Sequence, residues 1–287
     1  VNQSNRAKTV VIHVDDVGMC HGANRAYLEL SAAGFVTSGS VMVPCPWFLE
    51  VAEAAAADPD LDLGVHLTLT AEKTHYKWRP LTDVGPNSGL VDDNGFFWPD
   101  VTRARGGDPA AAEAELRAQI DRALASGIDV THLDAHMGVT FAPEFIGAYQ
   151  RMGADYEVPI LLTGLLENYS ARNHLDGVLE ETYQEAISQA RDGGWVLFDL
   201  VLETDWTRQG PPRPVYEPIF EQIPEGSTFM ALHPNAPGEL DSIEPDSAHI
   251  RAGEYELFSD DGFRTWVDSL GLEKVGMRRF RDEMRSG

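Results

Sequence analysis

Apolar, β-branched runs alternate with segments of helical spacing along nearly the whole chain. Seven runs read as strands: 9–14, 36–43, 63–69, 130–134, 158–163, 195–201 and 228–233. Between them, Ala23, Ala26, Tyr27 and Leu30 fall on one face over 22–33, and Leu116, Ile120, Ala123 and Leu124 recur at helical intervals over 109–126. Segments 47–57, 143–152, 179–191, 215–223 and 254–270 complete the predicted helices. This alternation predicts an α/β fold with a parallel sheet wrapped by helices. Seven repeats favour a distorted or incomplete (β/α) barrel, with a doubly wound sheet as the alternative. One insertion interrupts the pattern. Asn94-Gly95, between Leu90-Val91 and Phe96-Phe97-Trp98, predicts a small inserted β-hairpin. Its aromatics either cover a pocket edge or form a minor hydrophobic cluster. No repeat, low-complexity tract or charge block marks a linker, so residues 1–287 are read as a single domain.

Polar groups interrupt these runs at particular places. The first strand ends in Asp15-Asp16-Val17-Gly18. Two adjacent carboxylates at the end of a buried strand cost desolvation and repel each other, costs that a metal ion would offset. The structural alternative is that one of them caps the helix beginning near His21. The third strand carries His66 inside Gly64-Val65-His66-Leu67-Thr68-Leu69, the fourth reads Thr131-His132-Leu133-Asp134-Ala135-His136, and the seventh ends in His233-Pro234. A lone His66 is more often a satisfied core residue than a ligand. His132, Asp134 and His136 alternate and so share one strand face, which packing explains poorly. Barrel chemistry collects at the carboxyl ends of strands, and four such ends carry these groups. A carboxylate with two imidazoles suits Zn²⁺, or, with more waters, Mg²⁺, Mn²⁺ or Co²⁺, and three protein ligands leave positions open for water and substrate.

Charge and composition narrow the partners. The formal net charge of −24 disfavours nucleic acid and anionic membranes. No apolar run reaches membrane-spanning length and the first residues lack a signal-peptide core, so a cytoplasmic location is expected. Cys20 and Cys45 make neither a disulfide framework nor a metal motif. The acidic surface is compatible with a homodimer.

Val14-Asp15-Asp16-Val17-Gly18, Asn24-Arg25, Thr37-Ser38-Gly39-Ser40-Val41-Met42, the strand-three and strand-four stretches above and His233-Pro234 together resemble the YdjC/ChbG family of carbohydrate deacetylases, relatives of the NodB-type polysaccharide deacetylases. The resemblance runs from about Thr9 to the last helix. It implies a distorted (β/α) barrel and metal-dependent removal of acetyl groups from small N-acetylated carbohydrates. By position, Asp15 resembles the general base, Asp16, His66 and His136 the ligands of one divalent ion (Zn²⁺ or Mg²⁺), and His233 the general acid. Two departures lie near this expected site: Met137-Gly138-Val139 follows His136 where relatives often carry glutamine and a further histidine, and His13 stands where many have asparagine.

Other residues are read more plainly. His21, His75, His174 and His249 fall in predicted loops or near helix ends. Tyr76-Lys77-Trp78-Arg79 either stacks on a sugar or forms a surface cluster. Arg251 and Glu254 either order the last loop or form an exposed ion pair, and Asn24 and Arg25 are candidates to support the site from behind. Two other functions compete with deacetylation. A phosphoesterase is disfavoured by the sparse Lys and Arg near the motifs, and a non-catalytic sugar-binding protein would not need both Asp15 and His233.

Overall fold

Ten consecutive residues, Lys8–Val17, form the central strand β1, and its middle, apolar apart from His13, is fully buried, with a strand on either side. In the computed structural model, which describes residues 6–170, 175 and 177–286, β6 (Gly226–Leu232) pairs with β1 from Lys8 to Val14. On the other side β2 (Ser38–Val41) pairs from His13 onward. With β3 (Leu63–Leu67), β4 (Leu133–Ala135) and β5 (Leu200–Glu203), the order is β4-β3-β2-β1-β6-β5, and each of these neighbours pairs in parallel. A continuous apolar strand is what burial on both faces demands.

The arc between β4 and β5 is irregular. Segment 158–163, expected as a full strand, makes only single bridges, Leu133 to Ile160 and Thr163 to Phe198. Those two bridges join the ends of the sheet, and the barrel is distorted where they replace a regular ladder. The expected strand at 195–201 begins instead at Leu200 and runs to Glu203. A two-residue strand β7 (Glu273–Lys274), absent from the sequence expectation, fills the place beside the start of β1 before β2 arrives.

The helices His21–Ala32, Phe48–Ala57, Pro109–Ala125, Ile146–Asp155 and Arg213–Glu221 lie where the apolar spacing predicts them. Asp108 starts the long one, its carboxylate accepting from the Ala110 and Ala111 amides while proline occupies the first turn. The stretch 254–270 is two helices, Ala248–Ser259 and Asp261–Ser269, because Asp260 leaves helical geometry and caps the second through the Phe263 amide. The hairpin exists as one antiparallel bridge, Val91 to Phe97, turning at Gly95 with φ +77°. Its aromatics form a local cluster: Phe97 is buried, the Trp98 indole donates to the Gly89 carbonyl, and Arg79 lies over Phe96. No helix among the described residues is long and apolar enough to cross a membrane.

Close packing around the barrel floor makes one glycine indispensable. A Cβ on Gly64 would sit 2.5 Å from His132 Nδ1 and 2.6 Å from the His132 carbonyl oxygen. Gly64→Ala is therefore expected to destabilise the protein by about 1–3 kcal/mol in a denaturant titration. Gly85→Ala, which meets nothing within 4 Å, serves as the control. Equal midpoints for the two variants would contradict this account.

Candidate active site at the barrel mouth

Strict alternation along β1 would send Asp15 and Asp16 to opposite faces. The pairing of β1 with β2 slips between Val14 and Val17: three residues advance on β1 against two on β2. This bulge, with Asp16 in the left-handed region at φ +60°, brings both carboxylates to the wall of one cavity. Such a conformation in a non-glycine residue is strained and needs its surroundings to hold it. Asn24 does so from the following helix: its Oδ1 accepts from the Gly18 amide at 2.6 Å and its Nδ2 donates to the Trp47 carbonyl at 3.0 Å. Neither aspartate caps that helix, whose N-cap is Cys20 with no side-chain bond.

Asp16 is the centre of the cluster. Its Oδ2 accepts from Arg251 Nη1 at 2.7 Å. Its Oδ1 lies 3.1 Å from His136 Nδ1 and 3.4 Å from His66 Nε2, yet has no well-directed hydrogen-bond donor among the described residues. Each imidazole is oriented from its other nitrogen by a second carboxylate. His66 Nδ1 is 2.8 Å from Asp134 Oδ1, and His136 Nε2 is 2.9 Å from Glu72 Oε2. Three converging donor atoms, one of them an orphaned buried carboxylate oxygen, with carboxylates behind both imidazoles, fit a divalent metal site.

Asp15 and His233 adjoin this cluster. Asp15 Oδ1 lies 3.2 Å from His13 Nε2, and Oδ2 lies 3.5 Å from His233 Nε2. His233 is fixed on three sides. Its Nδ1 is 2.9 Å from the Thr204 hydroxyl, its backbone amide donates to Glu254 at 2.8 Å, and the Trp206 ring packs 4.6 Å away. Beneath the cavity, His13 Nε2 also reaches Asp134 Oδ2 at 3.0 Å and Ser40 Oγ at 3.0 Å. The His132 ring lies edge-on to His13 and is fully buried, 3.9 Å from Asp134, so it belongs to this floor and not to the cavity wall.

Opposed charges set the protonation of these groups. Burial would raise the Asp16 carboxyl, but Arg251 and His136 outweigh it and hold it well below the usual carboxylate range. Burial would lower His136, but Glu72 and Asp16 raise it to about 9. For His233 burial prevails over the attraction of Asp15, and its pKa falls to about 4. Glu203, on the cavity wall and bonded to the Trp206 indole, is raised to about 7 by burial and by the neighbouring Asp15 and Asp16 charges.

Sequence reasoning missed several of these residues. Arg251 and Glu254 are buried and bonded apart, to Asp16 and to the His233 amide, so they are not an exposed pair; they brace the loop after β6, and Arg251 also enters the site. Their spacing of three on one helix was the available signal, since it places both on one face. Nothing local marked Glu72. Arg25 pairs outward with Glu29 and Tyr255, unlike its neighbour Asn24. Tyr76, Trp78 and Arg79 do not line the cavity: Tyr76 donates to the Met19 carbonyl and Trp78 to that of Thr70. His21, His75 and His249 are exposed away from it, and His174 lies outside the described residues.

Fold and cluster together define a distorted parallel α/β barrel that gathers carboxylates and imidazoles at the carboxyl ends of its strands. The chain belongs to the YdjC-like protein family, whose model matches residues 9–269. Among curated relatives, a protein of Thermus thermophilus named carbohydrate deacetylase is 36% identical over 162 residues, 56% of this chain and 55% of its own length. The aligned region thus spans about half of that relative. A carbohydrate deacetylase of Thermoanaerobacter pseudethanolicus is 26% identical over 65% of this chain and 78% of its own. The crystal structure of a provisionally assigned cellobiose-phosphate cleavage protein from Enterococcus faecalis superposes with a TM-score of 0.75 at 22% identity, over 95% of this chain and 98% of that one. At that identity the likeness concerns the fold alone.

His13 makes stability depend on pH. Burial lowers its pKa, but Asp134 and Asp15 outweigh it and raise it from 6.5 to about 9. A raised histidine contributes its full stability below the unfolded value and loses it as pH rises through the folded one. Unfolding free energy is therefore expected to fall between pH 6.5 and about 9, by roughly 3 kcal/mol from this residue. Denaturant titrations across that range should show the slope, flatter in His13→Gln. A level wild-type profile would contradict the assignment.

Proposed function

We propose that this protein is a metal-dependent hydrolase that removes the acetyl group from an N-acetylated mono- or oligosaccharide. The observation that carries the reading is the meeting of Asp16, His66 and His136 at one cavity wall beside Asp15 and His233. The naming of its relatives as carbohydrate deacetylases supports the reaction class. Asp16, His66 and His136 would hold the cation. One carboxylate and two imidazoles suit Zn²⁺ with positions left open, whereas Mg²⁺ would need further oxygen ligands. When bound, such a cation acidifies a water molecule and polarises an amide carbonyl.

The remaining steps fall to the chain. Asp15 takes the proton of the attacking water as the new carbon–oxygen bond forms. His233, kept neutral by burial, brings no proton of its own at pH 7 and must receive one. Asp15 Oδ2, 3.5 Å from its Nε2, is the donor at hand. His233 then passes this proton to the sugar nitrogen as the carbon–nitrogen bond breaks, since an amine departs poorly without it. The Thr204 hydroxyl at Nδ1 keeps Nε2 directed toward the cavity.

The charges around the cavity argue for an uncharged sugar. Asp15, Asp16, Glu72, Glu203 and Glu244 face it, and its lysine and arginine are already held by carboxylates. Lys73 Nζ sits 2.9 Å from Glu72 and 2.6 Å from Glu244, while Arg251 is bound to Asp16 and Glu244. A phosphoester would find no free partner in either.

Metal analysis of the purified protein, run beside acetate release from N-acetylated mono- and disaccharides, tests the proposal. Near one equivalent of divalent metal and chelator-sensitive acetate release are expected. Asp15→Asn should retain metal and lose about 10²–10⁴-fold in kcat. His66→Ala should lose the metal as well. Acetate release that survives both substitutions would overturn the reading.

A further inference from the structure

The cavity, of about 300 Å³, has two chemically different halves. One is the charged wall already described. The other is built from Ala135, Phe141, Leu161, Tyr169 and Val201, which lie along the irregular arc where β4 and β5 are joined by single bridges. Phe141 and Tyr169 meet edge to face at 5.0 Å, and Leu161 and Val201 turn their small remaining exposure to the same void. These side chains begin directly beside the metal-site cluster, since Ala135 precedes His136. An acetyl methyl can touch only a small part of such a wall, and apolar surface left facing water contributes nothing to binding.

Resting on the deacylase reading above, we propose that the apolar half is an acyl-chain subsite, and that the preferred substrates are amino sugars whose N-acyl group is longer than acetyl. An amide substrate divides chemically as the cavity does. Its sugar hydroxyls need hydrogen-bond partners, and carboxylates of the charged wall such as Glu203 can accept from them. Its acyl tail needs none, and Tyr169 brings the one hydroxyl among the five residues of the apolar wall. An amide carries its nitrogen and its acyl tail on different sides of the carbonyl carbon, so a nitrogen turned to His233 leaves the tail to the rest of the cavity lining. Unbranched chains of three to about six carbons match the scale of the void. The reaction is unchanged: water adds to the carbonyl carbon, the carbon–nitrogen bond breaks, and a longer carboxylic acid leaves in place of acetate.

The test is a series of N-acetyl, N-propionyl, N-butyryl and N-hexanoyl glucosamines, with kcat/KM read from release of the free amine. Wild-type protein is expected to gain about fourfold per added methylene through butyryl, from roughly 0.8 kcal/mol per buried CH₂. Val201→Phe, which narrows the lobe, should lower the butyryl-to-acetyl ratio at least tenfold. That ratio is independent of how much protein folds. Acetyl hydrolysis without gain on lengthening would overturn the acyl subsite and leave the deacetylase reading standing. A gain on lengthening a 1-O-alkyl group, and none on lengthening the N-acyl group, would also overturn it by giving the lobe to the aglycone. Release of no amine from any member, with metal bound, would overturn the deacylase reading and this inference with it.

Discussion

A carboxylate that the fold buries and does not fully satisfy governs the architecture of the barrel mouth. Asp16 is about 1% exposed, in a left-handed backbone conformation, with one oxygen held by Arg251 and the other facing two imidazoles. Burying such a charge costs several kcal/mol unless opposite charge meets it in good geometry. The surrounding elements supply that charge from distant parts of the chain: Arg251 from the helix Ala248–Ser259, His66 from β3, and His136 from the turn after β4. Each partner is in turn held by another carboxylate, Glu244, Asp134 or Glu72. The result is a buried network in which acids and bases alternate, and removal of any one member leaves another unpaired.

Such a network is a poor choice for a structural core, since well-packed apolar residues of the same volume commonly give equal or greater stability. Its organisation makes sense as preorganisation. Orienting carboxylates fix which imidazole nitrogen faces the cavity, and β-strands carry Asp15, Asp16 and His66 or lead directly into His136 and His233. The contrast between two histidines follows from the same physics. His136, between Glu72 and Asp16, has its pKa raised, while that of His233, packed against Trp206 and facing Asp15 at a longer distance, is lowered. Two imidazoles at one mouth are thus shifted in opposite directions by what surrounds them.

The irregular arc of the barrel is the counterpart of the rigid side. Between β4 and β5 the ladder is reduced to single bridges, and it is there that apolar side chains from separate segments line the void. Room lies on the distorted side, while the pairing of β1 with β6 and β2 positions the carboxylates Asp15 and Asp16 on the other.

The alternation of apolar runs and helical spacing determined the class of fold, because period and β-branching act locally. It located most strands and helices within a few residues, and the polar residues that interrupt strand ends marked Asp15, Asp16, His66, His136 and His233. What local pattern could not express was decided in three dimensions. Alternation would separate Asp15 from Asp16, and only the bulge formed against β2 turns both to the cavity. His132, on the same strand face as His136 by spacing, is packed beneath the cavity instead, because β4 begins after it and the chain turns sharply after His136. Along the chain Arg251 and Glu254 read as a loop brace or an exposed ion pair, and nothing local marks Glu72. Their partners lie far away in sequence, so burial and pairing arise only when the helices close on the sheet.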